Sequence, residues 1–258
     1  MGDRILFESC PLCGSAAIAA HRTGDCSRHA LYKPQLSPTI AWMRCADCGH
    51  VFTEGYFTPE AAAVVFSDVN AMQRVGGAVE QNRAVSARMI EKVLPYASEG
   101  VWLDVGFGNG SLLFTADEYG FRAVGVDLRA DNVRALQNLG LEAHCCDFGE
   151  LPLGGQCAVI SLADVLEHMP FPKDGLASAH RLLGPRGVLF VSMPNADSII
   201  WRLLDASGAN PYWGEIEHYH NFGRARLYAL LEESGFRPLK YGISERYRAC
   251  MEVIAVKA

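Results

Sequence analysis

Residues 102–111 read "WLDVGFGNGS". Gly106, Gly108 and Gly110 stand at alternate positions behind an acidic residue, Asp104. An apolar run, "VWLDV", leads into the turn, and a helical pattern, "SLLFTADEYG", leads out of it. Glycines between a strand and a helix let the backbone come close to a nucleotide. Dinucleotide folds space them G-x-G-x-x-G, so that a pyrophosphate meets the helix N-terminus. Here the spacing is G-x-G-x-G, and Ser111 stands where that pattern wants Gly or Ala. A carboxylate at Asp104 repels a pyrophosphate and suits a ligand with a cationic end. The turn therefore fits a molecule that carries adenosine but no phosphate.

Outward from this turn, apolar strands alternate with helices. "RAVGVDL", "LEAHCCD", "CAVISLADV" and "GVLFVSMP" read as strands. "ADNVRALQNLG", "PKDGLASAHRLLG" and "RARLYALLEESG" read as helices, each stopped at a glycine. Near-continuous apolar strands between amphipathic helices predict a parallel sheet covered on both faces. The last two strands, "RPLKYGIS" and "CMEVIAVKA", are joined only by "ERYRA". That link is too short for a crossover and forces an antiparallel pair. Upstream, a helical pattern runs from "TPEAAAVVF" to Leu94, where Pro95 ends it. Residues 1–58 are rich in Cys, Pro and Gly and show little periodicity.

Composition sets the outer bounds. The 258 residues are 50% hydrophobic and carry a net charge of −6, a balance that argues against broad nucleic-acid binding. No apolar run is long enough to span a membrane. The N-terminal "MGDRILFESC" lacks the pattern of a secretion signal. Nine cysteines without such a signal point to a reducing compartment, and a cytoplasmic protein is expected.

Two knuckles, "CPLCG" and "CADCG", place Cys10, Cys13, Cys45 and Cys48 as paired Cys-x-x-Cys-Gly motifs. In each, the glycine lets backbone N–H groups turn toward sulfur. Two such knuckles make a four-thiolate zinc site, which is structural because no coordination position stays open for water. Cys26 and His50 are substitute ligands. Cys145, Cys146, Cys157 and Cys250 are expected in strands, as core residues. Residues 1–50 hold five basic and four acidic side chains, so the module has no basic patch.

The seven strands and their antiparallel end resemble the class I S-adenosylmethionine (SAM) methyltransferase fold over residues 80–258. The resemblance implies an α/β, Rossmann-like seven-stranded sheet with an antiparallel last strand, joined to a small zinc-ribbon-like module. The expected division is a zinc-binding module at 1–58, a helical linker or lid at 59–97 and a SAM-binding domain at 98–258. Asp127, in "VGVDL", is placed to accept hydrogen bonds from both ribose hydroxyls, or alternatively to cap the next helix. Asp147 and Phe148, in "CCDFGELPL", are implied at the adenine ring, with an Asx turn as the alternative for Asp147. Leu128, Ala163 and Asp164 complete the implied cofactor-binding set beside Asp104 and the three glycines. "LADVLEHMPFP" is similar to small-molecule methyltransferases related to ubiquinone biosynthesis, and the Asn/Asp-Pro-Pro-aromatic signature of amino-methylating nucleic-acid enzymes is absent here.

The acceptor chemistry rests on histidines. His218 follows Glu217 in "WGEIEHYHNF", as in a similar Glu-His pair of sugar C-methyltransferases. His218 is expected to be the general base, with Glu217 orienting it and with activity rising through an imidazole value of about 6.5. His168 is the competing base, and His220 is expected to be structural. A divalent metal held by Glu217, His218 and His220 is a further alternative. The whole arrangement resembles methyltransferases of polysaccharide and antibiotic-sugar pathways. The implied acceptor is a small molecule, sugar or glycan, stacked on the aromatic residues of "AWM", "HVFTEGYF" and "NPYWGEIEHYH", although these fit plain core equally well. A zinc knuckle also precedes the catalytic domain of ribosomal RNA guanine methyltransferases, so an RNA base is an alternative acceptor. A non-catalytic zinc scaffold is a third reading, against which the intact Asp104, glycines and Asp127 count.

Overall fold

The structure, a computed structural model, describes residues 2–66, 73–247 and 249–258. Two compact units emerge. The first gathers residues 1–69, 167–172 and 194–230, and the second gathers 70–166, 173–193 and 231–258. Both units are discontinuous in sequence, which a division at residues 58 and 97 does not express.

The first unit opens with β1 (Arg4–Leu6), β2 (Ile18–Asp25), β3 (Thr39–Cys45), β4 (Val51–Thr53) and β5 (Gly55–Phe57). Helix α1 (Pro59–Val65) follows, capped by the Thr58 hydroxyl, which accepts from the Ala61 N–H at 3.2 Å. The second unit begins with α2 (Val79–Val93), β6 (Val101–Val105), α3 (Ser111–Glu118), β7 (Arg122–Val126), α4 (Ala130–Asn138), β8 (Glu142–His144), β9 (Cys157–Ala163), α5 (Pro172–Leu182) and β10 (Leu183–Pro194). The chain returns to the first unit for α6 (Ile199–Ala206) and β11 (His220–Asn221). It then forms α7 (Arg224–Glu233), β12 (Phe236–Ile243) and β13 (Cys250–Lys257). The helical pattern expected to run unbroken to Leu94 is two helices, α1 and α2, and residues 67–72 of it lie outside the described residues.

The seven-stranded sheet has the order β12-β13-β10-β9-β6-β7-β8. β10, β9, β6, β7 and β8 pair in parallel, while β12 and β13 pair antiparallel, as the short link requires. β6 is buried along its whole length because apolar clusters cover both faces. On one face Met89, Ile90 and Val93 of α2 and Leu112 of α3 pack with Trp102 and Phe190. On the other, Leu113, Val133 and Leu136 pack with Phe107 and Ala123. The chain runs β6-β7-β8 in one direction and then returns to β9 on the opposite side of β6. In such sheets this switch point, beyond the carboxyl ends of β6 and β9, is where a ligand binds.

In the first unit a four-stranded sheet has the order β11-β4-β3-β2. Trp42, Trp201, Trp213, Phe57 and Tyr219 form its core, and the Trp42 ring N–H donates to the Trp213 carbonyl at 2.9 Å. The aromatic stretches that fit both a stacking pocket and plain core are therefore core at these positions. Cys157 and Cys250 are buried in strands as expected. Cys145 and Cys146 are not: β8 ends at His144, which leaves Cys145 exposed and Cys146 half-buried in the following loop.

Candidate cofactor, zinc and histidine sites

The glycine turn is built as its spacing demands. Gly106, Gly108 and Gly110 all have positive φ (63°, 56° and 81°), and a Cβ on Gly106 would lie 3.1 Å from the Val165 side chain. A larger residue at any of the three costs strain, and at Gly106 it also crowds the end of β9. Gly110 is the N-cap of α3. Beside the turn, Asp104 sits in a buried chain of donors. The Trp102 ring N–H donates to the Ser161 hydroxyl at 2.9 Å, and that hydroxyl donates to Asp104 at 2.5 Å. Burial raises the Asp104 carboxyl to about 6, against the pull of Ser161 and Arg246.

Asp127 follows β7 directly, with its side chain 5% exposed. Its carboxylate accepts from the Arg129 main-chain N–H at 2.9 Å and from the Arg129 guanidinium at 2.9 and 2.7 Å. The N-cap of α4 is Arg129, not Asp127. Leu128 is largely exposed, and Phe148 and Ala163 are buried. Asp147 makes the Asx turn that the sequence allowed, accepting from the Gly149 N–H at 2.8 Å. Asp164 has a φ of 59°, accepts from the Ser192 hydroxyl at 2.7 Å and lies 3.4 Å from Arg246. A non-glycine residue held in this region carries strain, which concentrates at functional sites. All of these residues lie in the second unit.

The four knuckle cysteines of the first unit converge. The Cys10 and Cys48 sulfurs are 3.6 Å apart, as are those of Cys13 and Cys45, and all four lie within 4.8 Å of one another. Tetrahedral zinc with bonds of about 2.3 Å requires sulfurs at about this separation, so the donor set fits the metal. Gly14 and Gly49, one residue past each knuckle, have φ of 74° and 70°. Burial pushes the Cys45 thiol up, but N–H groups of Cys48 and Asp47 and the neighbouring thiols outweigh it, leaving it at about 7. Neither Cys26 nor His50 joins the set. Cys26 donates to the Ser37 carbonyl, and the His50 ring is bonded to His220 at 3.0 Å.

A second cluster lies elsewhere in the same unit. The rings of His168 and His218 meet edge to face, centroids 4.6 Å apart. Each offers a nitrogen within 4.8 Å of the other and of a Glu167 carboxylate oxygen. His168 Nδ1–H donates to the Glu217 main-chain carbonyl at 3.0 Å, which leaves Nε2 with the free lone pair. His218 is buried, and its Nδ1 has no hydrogen-bond partner. Burial first, then His168, His29 and His220, push its imidazole well below the ordinary range, so the expected rise of activity near its free value does not apply to it. The hydrogen bond that Glu217 makes in this cluster is thus to His168, through its main-chain carbonyl. The metal-type grouping is Glu167, His168 and His218 in place of Glu217, His218 and His220. His220 is buried and bridges His50 to the Met169 carbonyl, 2.9 Å away, one residue beyond His168. Tyr219 N–H donates to the Glu167 carbonyl at 2.9 Å, so consecutive residues of "WGEIEHYHNF" hold the loop that carries His168.

Two further residues, Glu167 and Arg129, enter these sites without a sequence motif of their own. Both stand beside residues that the sequence singles out, Glu167 within "VLEH" and Arg129 two positions past Asp127.

A family model described as a methyltransferase domain matches residues 78–241. Ubiquinone biosynthesis O-methyltransferases of Bordetella avium (strain 197N) and Bordetella bronchiseptica are each 27% identical over 157 residues, which cover 54% of this chain and 65% of theirs. The chain thus spans just under two thirds of the length of the curated relatives it matches. Among solved structures, the fold is similar to 1,6-didemethyltoxoflavin-N1-methyltransferase of Burkholderia thailandensis, bound to its namesake and S-adenosylhomocysteine (TM-score 0.59, 22% identity, 83% of this chain and 97% of that one). Magnesium protoporphyrin IX methyltransferase of Synechocystis PCC 6803, with bound S-adenosylhomocysteine, is also similar (TM-score 0.54, 20% identity, 70% of this chain and 84% of that one). No helix among the described residues is long and apolar enough to cross a membrane. The chain belongs to the methyltransferase-domain family, and its fold is that of a class I SAM-dependent methyltransferase.

Proposed function

We propose that the protein transfers the methyl group of SAM to a hydroxyl of a small-molecule, sugar or glycan acceptor, with a histidine taking the hydroxyl proton. The observation that carries this reading is the His168–His218 pair, in which a main-chain carbonyl fixes one tautomer and so leaves a base nitrogen free. The relation to ubiquinone O-methyltransferases supports oxygen as the methylated atom. The sulfonium of bound SAM supplies an activated methyl group. What this chain supplies is position and proton removal.

In this reading Asp104 meets the cationic amino-acid end of SAM, the Gly106–Gly110 turn admits it, and Asp127 holds the ribose hydroxyls. Asp147 and Phe148 serve the adenine, and Leu128, Ala163 and Asp164 border the cofactor. His168 would accept, on Nε2, the proton that the acceptor hydroxyl gives up when its oxygen is methylated. The Glu217 carbonyl and the nearby Glu167 carboxylate stabilise the imidazolium that forms. His218, neutral and buried, packs against the His168 ring. One zinc ion on Cys10, Cys13, Cys45 and Cys48 holds the β3–β4 connection, and the availability of these thiolates favours a reducing cytoplasm. The net charge of −6 disfavours an RNA acceptor. The test of the reaction class is methyl-labelled SAM with phenols, nucleotide sugars, glycans and ribosomal RNA, where label should appear on a hydroxyl of a non-nucleic-acid acceptor.

Two cofactor predictions follow from the second unit. Asp127→Ala leaves the ribose hydroxyls without their acceptor, at about 1–3 kcal/mol, or about 5–150-fold in the dissociation constant of SAM. An Arg129→Gln chain that binds SAM equally well with and without Asp127→Ala removes Asp127 from the ribose. Asp104 has to be ionised to meet a cation, and burial sets its proton affinity at about 6. SAM binding should therefore be full above pH 7 and weaken as pH falls through 6, by about tenfold at pH 5. A flat profile from pH 7 to pH 5 shows that Asp104 does not face the charged end.

A further inference from the structure

Asp127 is already engaged by a group shaped like the ligand expected there. A ribose presents two neighbouring hydroxyls, a pair of donors aimed at the two oxygens of one carboxylate. Arg129 presents the same pair, with Nε on Oδ1 at 2.9 Å and Nη2 on Oδ2 at 2.7 Å. The guanidinium is a planar fork of donors, and its two-point match to a carboxylate is among the stronger polar contacts in proteins. The Arg129 main-chain N–H adds a third donor to Oδ1. The pair is mostly withdrawn from water, with side chains 26% and 5% exposed, so solvent screens it only in part.

The Arg129 side chain also reaches beyond Asp127. Its Nη1 donates to the Gln73 side-chain oxygen at 3.2 Å. Gln73 belongs to the segment before α2, which is tied to the cofactor turn at several points. Asn132 Nδ2 donates to the carbonyls of both Gln73 and Gly108, each at 3.0 Å. Gly76 N–H donates to the Asn109 carbonyl at 3.0 Å, and Asn109 Nδ2 donates to the Gly77 carbonyl at 2.7 Å. Residues 73–77 thus form a strap fastened to the glycine turn, and Arg129 joins that strap to Asp127. All of these groups lie in one compact unit.

We propose that Arg129 sets cofactor affinity as an internal competitor: its guanidinium takes the same two-oxygen face of Asp127 that a ribose diol requires, so the cofactor binds only when Arg129 gives that face up. The proposal rests on the reading of Asp127 as the ribose partner. Released from Asp127, the guanidinium keeps its contact with the strap through Gln73, so it is displaced sideways and not expelled into water. The apparent affinity is then the intrinsic affinity multiplied by the fraction of chains with Asp127 free. Salt, which weakens the Arg129–Asp127 pair, raises that fraction.

The test is calorimetric titration of the full zinc-loaded chain with S-adenosylhomocysteine, at about 0.02 M and about 0.5 M NaCl. Wild type is compared with Arg129→Gln, Arg129→Ala and Asp127→Asn. With about one chain in ten open at low salt, Arg129→Gln and Arg129→Ala should bind about tenfold more tightly than wild type there. Wild-type affinity should climb toward theirs at high salt, while both variants stay nearly flat. Equal or weaker binding by both Arg129 variants at low salt overturns the proposal, since Arg129 is then a bystander or a direct cofactor contact. Asp127→Asn separates this failure from that of the underlying reading. If Asp127→Asn binds more weakly than wild type while the Arg129 variants gain nothing, the ribose reading stands and the competitor does not. If Asp127→Asn placed in the Arg129→Gln chain binds as tightly as Arg129→Gln alone, both fall together.

Discussion

His168→Ala is expected to turn over about 10²–10⁴-fold more slowly than wild type, with SAM affinity unchanged. The size of the loss is that of a general base removed from an otherwise intact site. The reason to place it on His168 is geometric. Its Nδ1–H is committed to the Glu217 carbonyl at 3.0 Å, so the ring cannot rotate without losing that bond, and Nε2 is left as the proton acceptor. His168 is half-buried, whereas His218 is buried and pushed far toward its neutral form by desolvation and by its histidine neighbours. His218→Ala removes the ring against which His168 packs, so it should cost turnover too, but less than His168→Ala. Added imidazole is the readout that distinguishes base from brace. It should restore part of the lost rate to His168→Ala and none to His218→Ala. A His168→Ala enzyme with full turnover removes His168 from the mechanism, and rescue of His218→Ala instead returns the base to His218.

Loss of zinc is expected to have the largest effect on stability. Structural zinc on four thiolates contributes apparent binding energies of about 10–16 kcal/mol, as large as the whole stability of an ordinary domain. Cys45 ends β3 and its N–H donates to the His50 carbonyl at 3.0 Å, so the second knuckle closes the hairpin between β3 and β4. β4 pairs with β11 through Phe52 and His220, and His220 holds the Met169 carbonyl. Disorder at the knuckle is thereby handed along hydrogen bonds to the loop that carries His168. Cys45→Ser, or a strong chelator, should unfold the four-stranded sheet and release Trp42, which is fully buried in its core. Metal analysis of untreated protein should find one zinc per chain, and chelation should red-shift the tryptophan emission. A metal-free chain that keeps a buried Trp42 environment contradicts this.

The second unit was largely legible in the sequence because its signals are local and repeated. "VWLDVGFGNGS" contains strand, turn and helix start within eleven residues, and the positive φ of all three glycines follows from their spacing. The link "ERYRA" decided the antiparallel end on length alone. The knuckles carried their own geometry for the same reason. What stayed hidden depends on residues far apart in the chain. Glu217 meets His168 across 49 positions, and His50 meets His220 across 170, and no periodicity encodes either contact. The aromatics of "NPYWGEIEHYH" fit a stacking pocket and plain core alike by sequence, and only the fold shows that Trp213 and Tyr219 belong to the core of the first unit. Cys145 and Cys146 were misplaced because a strand's end is set by its partner: β8 pairs with β7 only through His144. The Arg129–Asp127 pair lay within three residues, but its fork geometry depends on a turn that the sequence does not draw.

The most direct measurement is titration calorimetry of the wild-type, zinc-loaded chain with S-adenosylhomocysteine at neutral pH. One binding event per chain, weakened in Asp127→Ala, is the predicted result. Absence of any binding by the wild-type chain at millimolar ligand contradicts the assignment of the Asp104–Asp127 site to the methyl donor, and with it the proposed reaction.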